Sequence, residues 1–469
     1  MSAWFGAALF PLIMATMLAT GLPAFLVLIG ASGLGALFIV ASGGEASLLS
    51  ALGQRLQALL EGDLLQALPL FVTMGVVMNR LPLSRGLFRT GVAIGGGGAV
   101  SPRLSALALG ALLAPMNGSV GASVAMLSRG VAPLLARAGV APAESVALVA
   151  AASTLGVAIP PSLVLLFLGD AMLNAHTIAA RATDAARIVN TQDIFRAALV
   201  PAVVTLALWM LVACVEARKA KRPEAALPLT LREGATSGLV VLAVFVLLGG
   251  VASGMFYAVE AAATGCIALL AAGVFTRALT PAVLKEILRD TLAISGALFA
   301  LLVAATTFTL ALRVLGTDRL ATDLFALAPG GAAGAVAALL VIMAISALVL
   351  DAFEIVFVIV PIVMPGALMR APDAAWVAAL TALTLQASFL APPLGYAVLM
   401  TRAAGGATAS AGAVARAIAP YLGALVAVIA LTLAWPGATH LFDATPAAPA
   451  PPAERFELPP PEPPPDFRQ

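Results

Sequence analysis

Charged and reactive side chains are scarce in this chain. Of 469 residues, 23 are Asp or Glu and 25 are Lys or Arg, so that charged residues make up 10%, where soluble domains carry about a quarter. Only two cysteines, Cys214 and Cys266, and two histidines, His176 and His440, are present. Both cysteines sit in apolar stretches and read as small hydrophobes, which excludes a disulfide scaffold. So few His and Cys exclude a histidine-based metal centre and a Ser-His or Cys-His catalytic pair. The basic residues are scattered through short loops and the net charge is +2, so nucleic-acid binding has no support. Gly95 to Gly98 form a run of four glycines without a following Gly-Lys-Ser/Thr, a flexible connector and not a phosphate loop. The chain begins "MSAWFGAALFPLIMATMLATG", with no Lys or Arg before its apolar run, and so lacks the positive region of a secretory signal. It reads as a retained first helix.

What the chain has is apolar length. Hydrophobic residues make up 61% and the mean hydropathy is +1.06, the composition of an integral membrane protein embedded in a lipid bilayer. Apolar runs recur along the chain and suggest about a dozen membrane-crossing or re-entrant helices by the ~20-residue spanning rule. They are helical in length, which argues against a β-barrel. The expected class is an all-α polytopic membrane protein. At the linker 217–235 stands "EARKAKRPEAALPLTLREG", Glu216 to Gly234, whose Arg218, Lys219, Lys221, Arg222 and Arg232 form the densest basic cluster. The positive-inside rule makes it a cytoplasmic linker. It divides a first membrane repeat, 1–216, from a second, 236–435. Residues 436–469 are rich in proline and read as a disordered, polyproline-II-like tail.

Sliding the second half over the first by 232 residues lays "TLGVAIPPSLVLLFLG" over "QASFLAPPLGYAVLMT", with Pro160 and Pro161 on Pro392 and Pro393. The same offset lays "NGSVGASVA" on "VLDAFEIVF", pairing Ser119 with Asp351. At an offset of 237, "MGVVMNRLPLSRGLF" lies over "ALRVLGTDRLATDLF". What repeats is a polar interruption, a helix and a Pro-Pro break, at equal spacing.

These breaks carry the chemistry. Proline has no N–H and clashes with the carbonyl four residues back, so carbonyls near Thr154 to Ile159 are expected to lose helical partners. Such backbone survives at membrane depth only when enclosed by protein or lining a hydrated cavity. Paired broken helices in corresponding halves point to a midplane transport site. Asn117 and Ser119 bring side-chain oxygens to the first, glycine-rich interruption; small-residue helix packing is the bland alternative. Asp351 is ionisable within an apolar run, and Glu354, three residues on, shares its helical face. Together they suggest cation or proton coupling, with a structural salt link to Arg313 or Arg319 as the competitor. Glu260, near a membrane boundary, fits interfacial capping or packing equally well.

The stretches "NGSVGASVAMLSRGVAPLLARAGV", "AAASTLGVAIPPSLVLLFLGD", "AVEAAATG", "LDAFEIVFVIVPIVMP" and "LQASFLAPPLGYAVLMTR" resemble, in order, hallmark segments of the large membrane subunit of TRAP transporters, the DctM-type permeases. The resemblance runs from about residue 4 to 435. It implies two inverted repeats with re-entrant hairpins, elevator-type movement, and sodium-driven symport of an organic acid in the bacterial inner membrane. It also implies two partners, a small four-helix membrane subunit and a periplasmic substrate-binding protein, and no cofactor beyond coupling sodium ions, the only metal expected. Carried over residue by residue, it places sodium at Asn117, Gly118 and Ser119 with Thr154, Gly156, Ile159 and Pro160, and at Asp351 with Ser388, Ala391 and Pro392. Two positions depart from the family pattern: Val120 stands where a second serine is usual, and Ala391 where a threonine is usual. The form "LDAFEI" with "LQASFLAPPLG" resembles the subgroup linked with 2-oxo and hydroxy monocarboxylates. A rival reading is a proton- or sodium-coupled organic anion carrier that works without a binding protein. An enzyme is not expected: an intramembrane aspartyl protease would need Gly-x-Gly-Asp where Asp170 has "FLGD", and a tyrosine before Asp351.

Overall fold

The computed structural model describes residues 2–43, 50–81, 83–117, 119–160, 162–183, 189–218, 230–405 and 409–443. Among these residues every regular element is a helix. The first half runs through α1 (Ser2–Thr20), α2 (Ala24–Ala41), α3 (Leu52–Glu61), α4 (Asp63–Arg80), α5 (Leu83–Ile94) and α6 (Ser101–Leu113). A 3-10 turn (Pro115–Asn117) then leads to α7 (Val120–Gly130), α8 (Ala132–Arg137), α9 (Pro142–Ala158), α10 (Leu163–Thr183) and α11 (Thr191–Ala217). The second half runs through α12 (Leu231–Ser253), α13 (Ala258–Phe275), α14 (Pro281–Val314), α15 (Thr317–Ala326) and α16 (Gly331–Ser346). It continues with α17 (Ala352–Glu354), a π-helical turn (Ile355–Ile359), α18 (Val360–Arg370), α19 (Ala374–Leu390), α20 (Tyr396–Ala404), α21 (Ala411–Ala434) and a 3-10 turn (Pro436–His440). Among the described residues eight helices are long and apolar enough to cross a bilayer, or nine if the bent pair around α3 and α4 is one span, and four shorter apolar helices accompany them.

The 232-residue shift is visible in the helices themselves. It carries Pro142 to Ala374 and Ala158 to Leu390, so α9 falls on α19 at both ends. Both are alanine-rich, which favours helix, and both are started by local chemistry. Pro142 stands at the first position of α9 with Glu144 in its first turn, and the Asp373 side chain caps α19 by accepting from the Trp376 N–H at 3.1 Å. Both stop at a Pro-Pro pair, which cannot continue them. The repeat is imperfect after the break: α10 has 21 residues where α20 has nine.

Helices α9 and α19 form the centre. Every residue from 147 to 158 and from 377 to 390 is buried. Around them pack α6, α7, α11, α16, α20 and α21, while α1, α2, α4 and α12 to α14 form a second group. Two close approaches fix α9 against α6: a Cβ on Gly110 would stand 2.6 Å from the Ala152 carbonyl oxygen, and one on Gly156 would stand 2.5 Å from that of Ala114. Arg103 of α6 grips both carboxylate oxygens of Glu144 on α9 and donates to the Ala99 carbonyl, a satisfied ion pair in a buried place. Tyr421 of α21 donates to Glu216 at the end of α11 at 2.8 Å, and the Trp209 indole N–H donates to the Tyr421 carbonyl. In the other group Arg80 of α4 is held by Glu286 and Asp290 of α14. Large apolar side chains such as Leu37, Phe245 and Phe275 point outward, as lipid contact requires.

The turn Pro436–His440 packs on α11 and α19, with Ala438 and Thr439 buried. The folded part therefore extends past residue 435, the boundary expected from composition. Residues 444–469 of the proline-rich tail and residues 219–229 of the basic linker lie outside the described residues.

Candidate functional site

The first interruption is built where α6 stops. Its chain turns through Pro115–Asn117, and Ser119 then caps α7, its hydroxyl accepting from the Ala122 N–H at 3.1 Å. Gly118 and Pro161 lie outside the described residues. The Asn117 side chain is buried. Its amide nitrogen reaches Ser123 Oγ at 3.3 Å and Met126 Sδ at 3.6 Å, while its Oδ1 is buried without a partner among the described residues. Gly75 of α4 allows this turn to sit close, since a Cβ there would stand 2.9 Å from Asn117 Cα.

The second interruption has the same design with a stronger charge. Asp351 caps α17, and its Oδ1 accepts from the Ala352 N–H at 2.6 Å. Its side chain also accepts from the Glu354 backbone N–H. Glu354 turns back and accepts from the Asp351 backbone N–H at 2.9 Å, closing a capping box. The following turn, Ile355–Ile359, is π-helical, a local form frequent at functional positions. Among the described residues no ion pair joins Asp351 or Glu354 to Arg313 or Arg319.

At the Pro-Pro breaks the helices run further than the proline positions suggested. Helix α9 continues to Ala158, and the Ile159 N–H still reaches the Leu155 carbonyl at 2.9 Å. The Thr154 and Leu155 carbonyls are therefore engaged, and it is Gly156 and Val157 whose helical donors would be Pro160 and Pro161. The Thr154 hydroxyl donates to the Ala151 carbonyl at 2.8 Å. In the second half the Ala391 N–H takes the Ser388 carbonyl at 3.2 Å, and Ser388 Oγ donates to the Thr384 carbonyl at 2.8 Å. The Ala391 N–H, which would serve Ala387 in a continuing helix, goes to Ser388 instead, and no N–H beyond α19 bonds the Phe389 or Leu390 carbonyl among the described residues. Pro160 is buried, whereas Pro392 is exposed and Ala391 partly so.

Asn117, Ser119 and Asp351 line one cavity of about 310 Å³, closed by apolar side chains of α4, α14 and Phe353. Two residues that the 232-residue shift pairs in sequence thus meet in space. Thr154, Gly156 and Ser388 do not line this cavity and are buried in the two central helices. Glu354 is turned elsewhere, into a separate apolar cavity of about 290 Å³ beside α1, α2 and α15. Glu260 is exposed and lines neither cavity. It accepts from the Tyr257 N–H at 3.0 Å and caps α13. A residue not singled out from the sequence also belongs to this region: Tyr396, the first of α20, whose hydroxyl would stand 2.8 Å from a Cβ on Gly121 of α7. Its ring packs edge-on against Phe389. The close glycine in the opposite half was its only sequence signal.

The lining offers acceptors, namely an amide oxygen, a hydroxyl oxygen and a carboxylate, and no Arg or Lys side chain. Such a set suits a hard cation held by oxygen. Among the described residues no group of three or more His, Cys, Asp or Glu could hold a transition metal.

Comparison with known proteins agrees with this architecture. The family described as "Tripartite ATP-independent periplasmic transporter, DctM component" matches residues 12–438. The chain is 29% identical over 288 residues to the uncharacterized protein YgiK of Salmonella typhimurium, a match covering 60% of this chain and 62% of that protein's length. Its fold is similar to that of the Alcanivorax borkumensis YdaH transporter, with a TM-score of 0.62 at 14% identity over 88% of this chain and 96% of that one. It is also similar to Neisseria gonorrhoeae MtrF, reported with a class of antimetabolite efflux pumps, with a TM-score of 0.53 at 15% identity over 92% and 94% of the two chains. The match across residues 12–438 spans both interruptions and both breaks, and the chain belongs to the DctM family of TRAP transporters, multi-pass proteins of the bacterial inner membrane.

Proposed function

We propose that this chain is the large permease subunit of a sodium-coupled symporter for an organic acid anion. It works with a small four-helix membrane subunit and a periplasmic binding protein that delivers the solute. The observation that carries this reading is the shared cavity of Asn117, Ser119 and Asp351 between the two halves. A carboxylate beside a buried, unpaired amide oxygen has reason to gather a cation, because unpaired buried polar groups cost on the order of 1–3 kcal/mol. Sodium entry down a 100 mV potential releases about 2.3 kcal/mol per charge, so two ions drive accumulation of a monoanion against its own repulsion by that potential. The central pair α9 and α19, enclosed by their own group of helices, is the unit expected to move against the group containing α4 and α14, in an elevator-like step. The first repeat, 1–216, and the second, 236–435, are the two halves of that machine, joined by a cytoplasmic linker.

The test has two stages. A fluorescence-shift screen of the cognate binding protein against small carboxylates identifies the solute. Uptake of that solute is then measured in proteoliposomes carrying both membrane subunits. Uptake is expected with the loaded binding protein and external sodium, and not when potassium replaces sodium or the binding protein is left out. Equal uptake in potassium would refute sodium coupling, and equal uptake without the binding protein would favour a stand-alone carrier.

A further inference from the structure

Gln386 lies four residues before the end of α19, and it is 0% exposed. Both its Oε1 and its Nε2 are buried without a hydrogen-bond partner among the described residues. A primary amide left in this way is costly, since an unmade hydrogen bond in an apolar interior forfeits several kcal/mol by the cyclohexane scale. Leucine or methionine would fill the same volume at no such cost, so the amide calls for a physical explanation.

Its register supplies one. The 232-residue shift that superposes α9 on α19 places Gln386 on Thr154, a residue of the first break that is equally buried. Thr154 satisfies itself by donating to Ala151 within its own helix. Gln386 does not. Its side chain is longer, and no described group answers its amide. Ala391 and Ser388 add little here, because alanine has no side-chain oxygen and the Ser388 hydroxyl and carbonyl are both engaged. In the last turn of α19 the oxygens without a donor among the described residues are therefore the carbonyls of Phe389 and Leu390 and the amide of Gln386.

We infer that Gln386 is the side-chain ligand of a sodium ion in the second half, its Oε1 on the ion and its Nε2 donating to a water retained in the ion's shell. This rests on the sodium-coupled reading above and assigns a residue to it. An amide that must both accept and donate fits this pairing, whereas a bare ion or a carboxylate alone would leave one of its atoms unpaired. The water accepts from Nε2 with one lone pair and faces the ion with the other. The oxygen that an alanine at position 391 fails to supply is thereby replaced from one and a half turns earlier in the same helix.

The experiment uses the full chain purified in detergent, with sodium chloride as the probe and choline chloride as the control, and reads the thermal unfolding midpoint as sodium is titrated. The wild-type midpoint is expected to rise with sodium. In Gln386→Leu and Gln386→Met, which remove the unpaired atoms and keep the volume, the midpoint in choline should match or exceed that of the wild type. The sodium concentration for half of the rise should increase about tenfold or more, the effect of losing one ligand worth a factor of ten in affinity. Gln386→Glu keeps an oxygen and should retain the response. A wild-type response with unchanged sodium dependence in both apolar variants would overturn the assignment and leave sodium coupling standing. Higher midpoints in choline with an unaltered titration would show that the amide meets only water. No sodium response in the wild type would overturn the coupled reading and this assignment with it.

Discussion

Ser119 and Asp351, 232 positions apart, each cap a helix and face one cavity between the two halves of the molecule. In each case the side-chain oxygen is both a capping group and a wall of the cavity. The charge lies on one side only, and that asymmetry decides what substitution should do.

Asp351→Asn keeps a capping oxygen and removes the charge. Helix stability should change little, since Asn and Asp are comparable N-caps, while half-saturation by sodium should rise at least about tenfold, or ~1.4 kcal/mol. Asn117→Ala should act in the same direction. Uptake measured against external sodium checks both, with midpoints from thermal unfolding as the control for folding.

Gly75→Ala should injure the site from behind. The added Cβ would meet Asn117 Cα at 2.9 Å and the Met116 carbonyl oxygen at 3.0 Å, and neither backbone atom can swing aside. Overpacking of this kind costs about 1–3 kcal/mol. The prediction is a lower unfolding midpoint together with weakened sodium response, whereas Gly238→Ala, at a glycine with nothing within 4 Å, should do neither.

Glu144→Gln tests the packing of the centre. It leaves the Arg103 guanidinium buried with its charge uncompensated, and breaking a buried pair costs about 3–5 kcal/mol. Replacing both residues by apolar ones of similar volume should restore most of the loss. Thermal unfolding of the single and double variants separates the two outcomes.

His440 lies outside the spanning helices, with Nε2 2.7 Å from Asp373 and Nδ1 2.9 Å from Asp443. Partial burial opposes its charge, but the hydrogen bonds to Asp373 and Asp443 and their negative charges outweigh that and raise its pKa above the ordinary value. A raised histidine stabilises the fold fully below its unfolded pKa, about 6.5, and the contribution fades as pH climbs through the folded value. The unfolding midpoint should therefore fall on going from mildly acidic to alkaline pH, and His440→Gln should flatten that dependence. A wild-type profile that rises over this range would contradict the assignment.

The breaks were legible in the sequence because proline acts through covalent structure: Pro160 and Pro392 end α9 and α19 whatever surrounds them. The repeat was legible for the same reason, and it paired Ser119 with Asp351 before any contact was visible. What the sequence misjudged was local. Thr154 and Leu155 seemed freed by Pro160, yet the loss of an N–H affects only the carbonyls that the prolines themselves would have served. Glu354 shared a face with Asp351 by spacing, but a carboxylate three residues past a cap can also fold back onto the cap's N–H, and it does. Gln386 passed unnoticed because an amide in an apolar run carries no pattern. Its lack of partners among the described residues is a tertiary fact.

Sodium flux in the presence and absence of solute tests the central claim most directly. In proteoliposomes holding both membrane subunits, radiolabelled sodium should enter when the solute-loaded binding protein is supplied. It should not enter with the empty binding protein, nor when the chain carries Asp351→Asn at low sodium. Solute entry with no accompanying sodium, at the wild-type rate, would contradict the account.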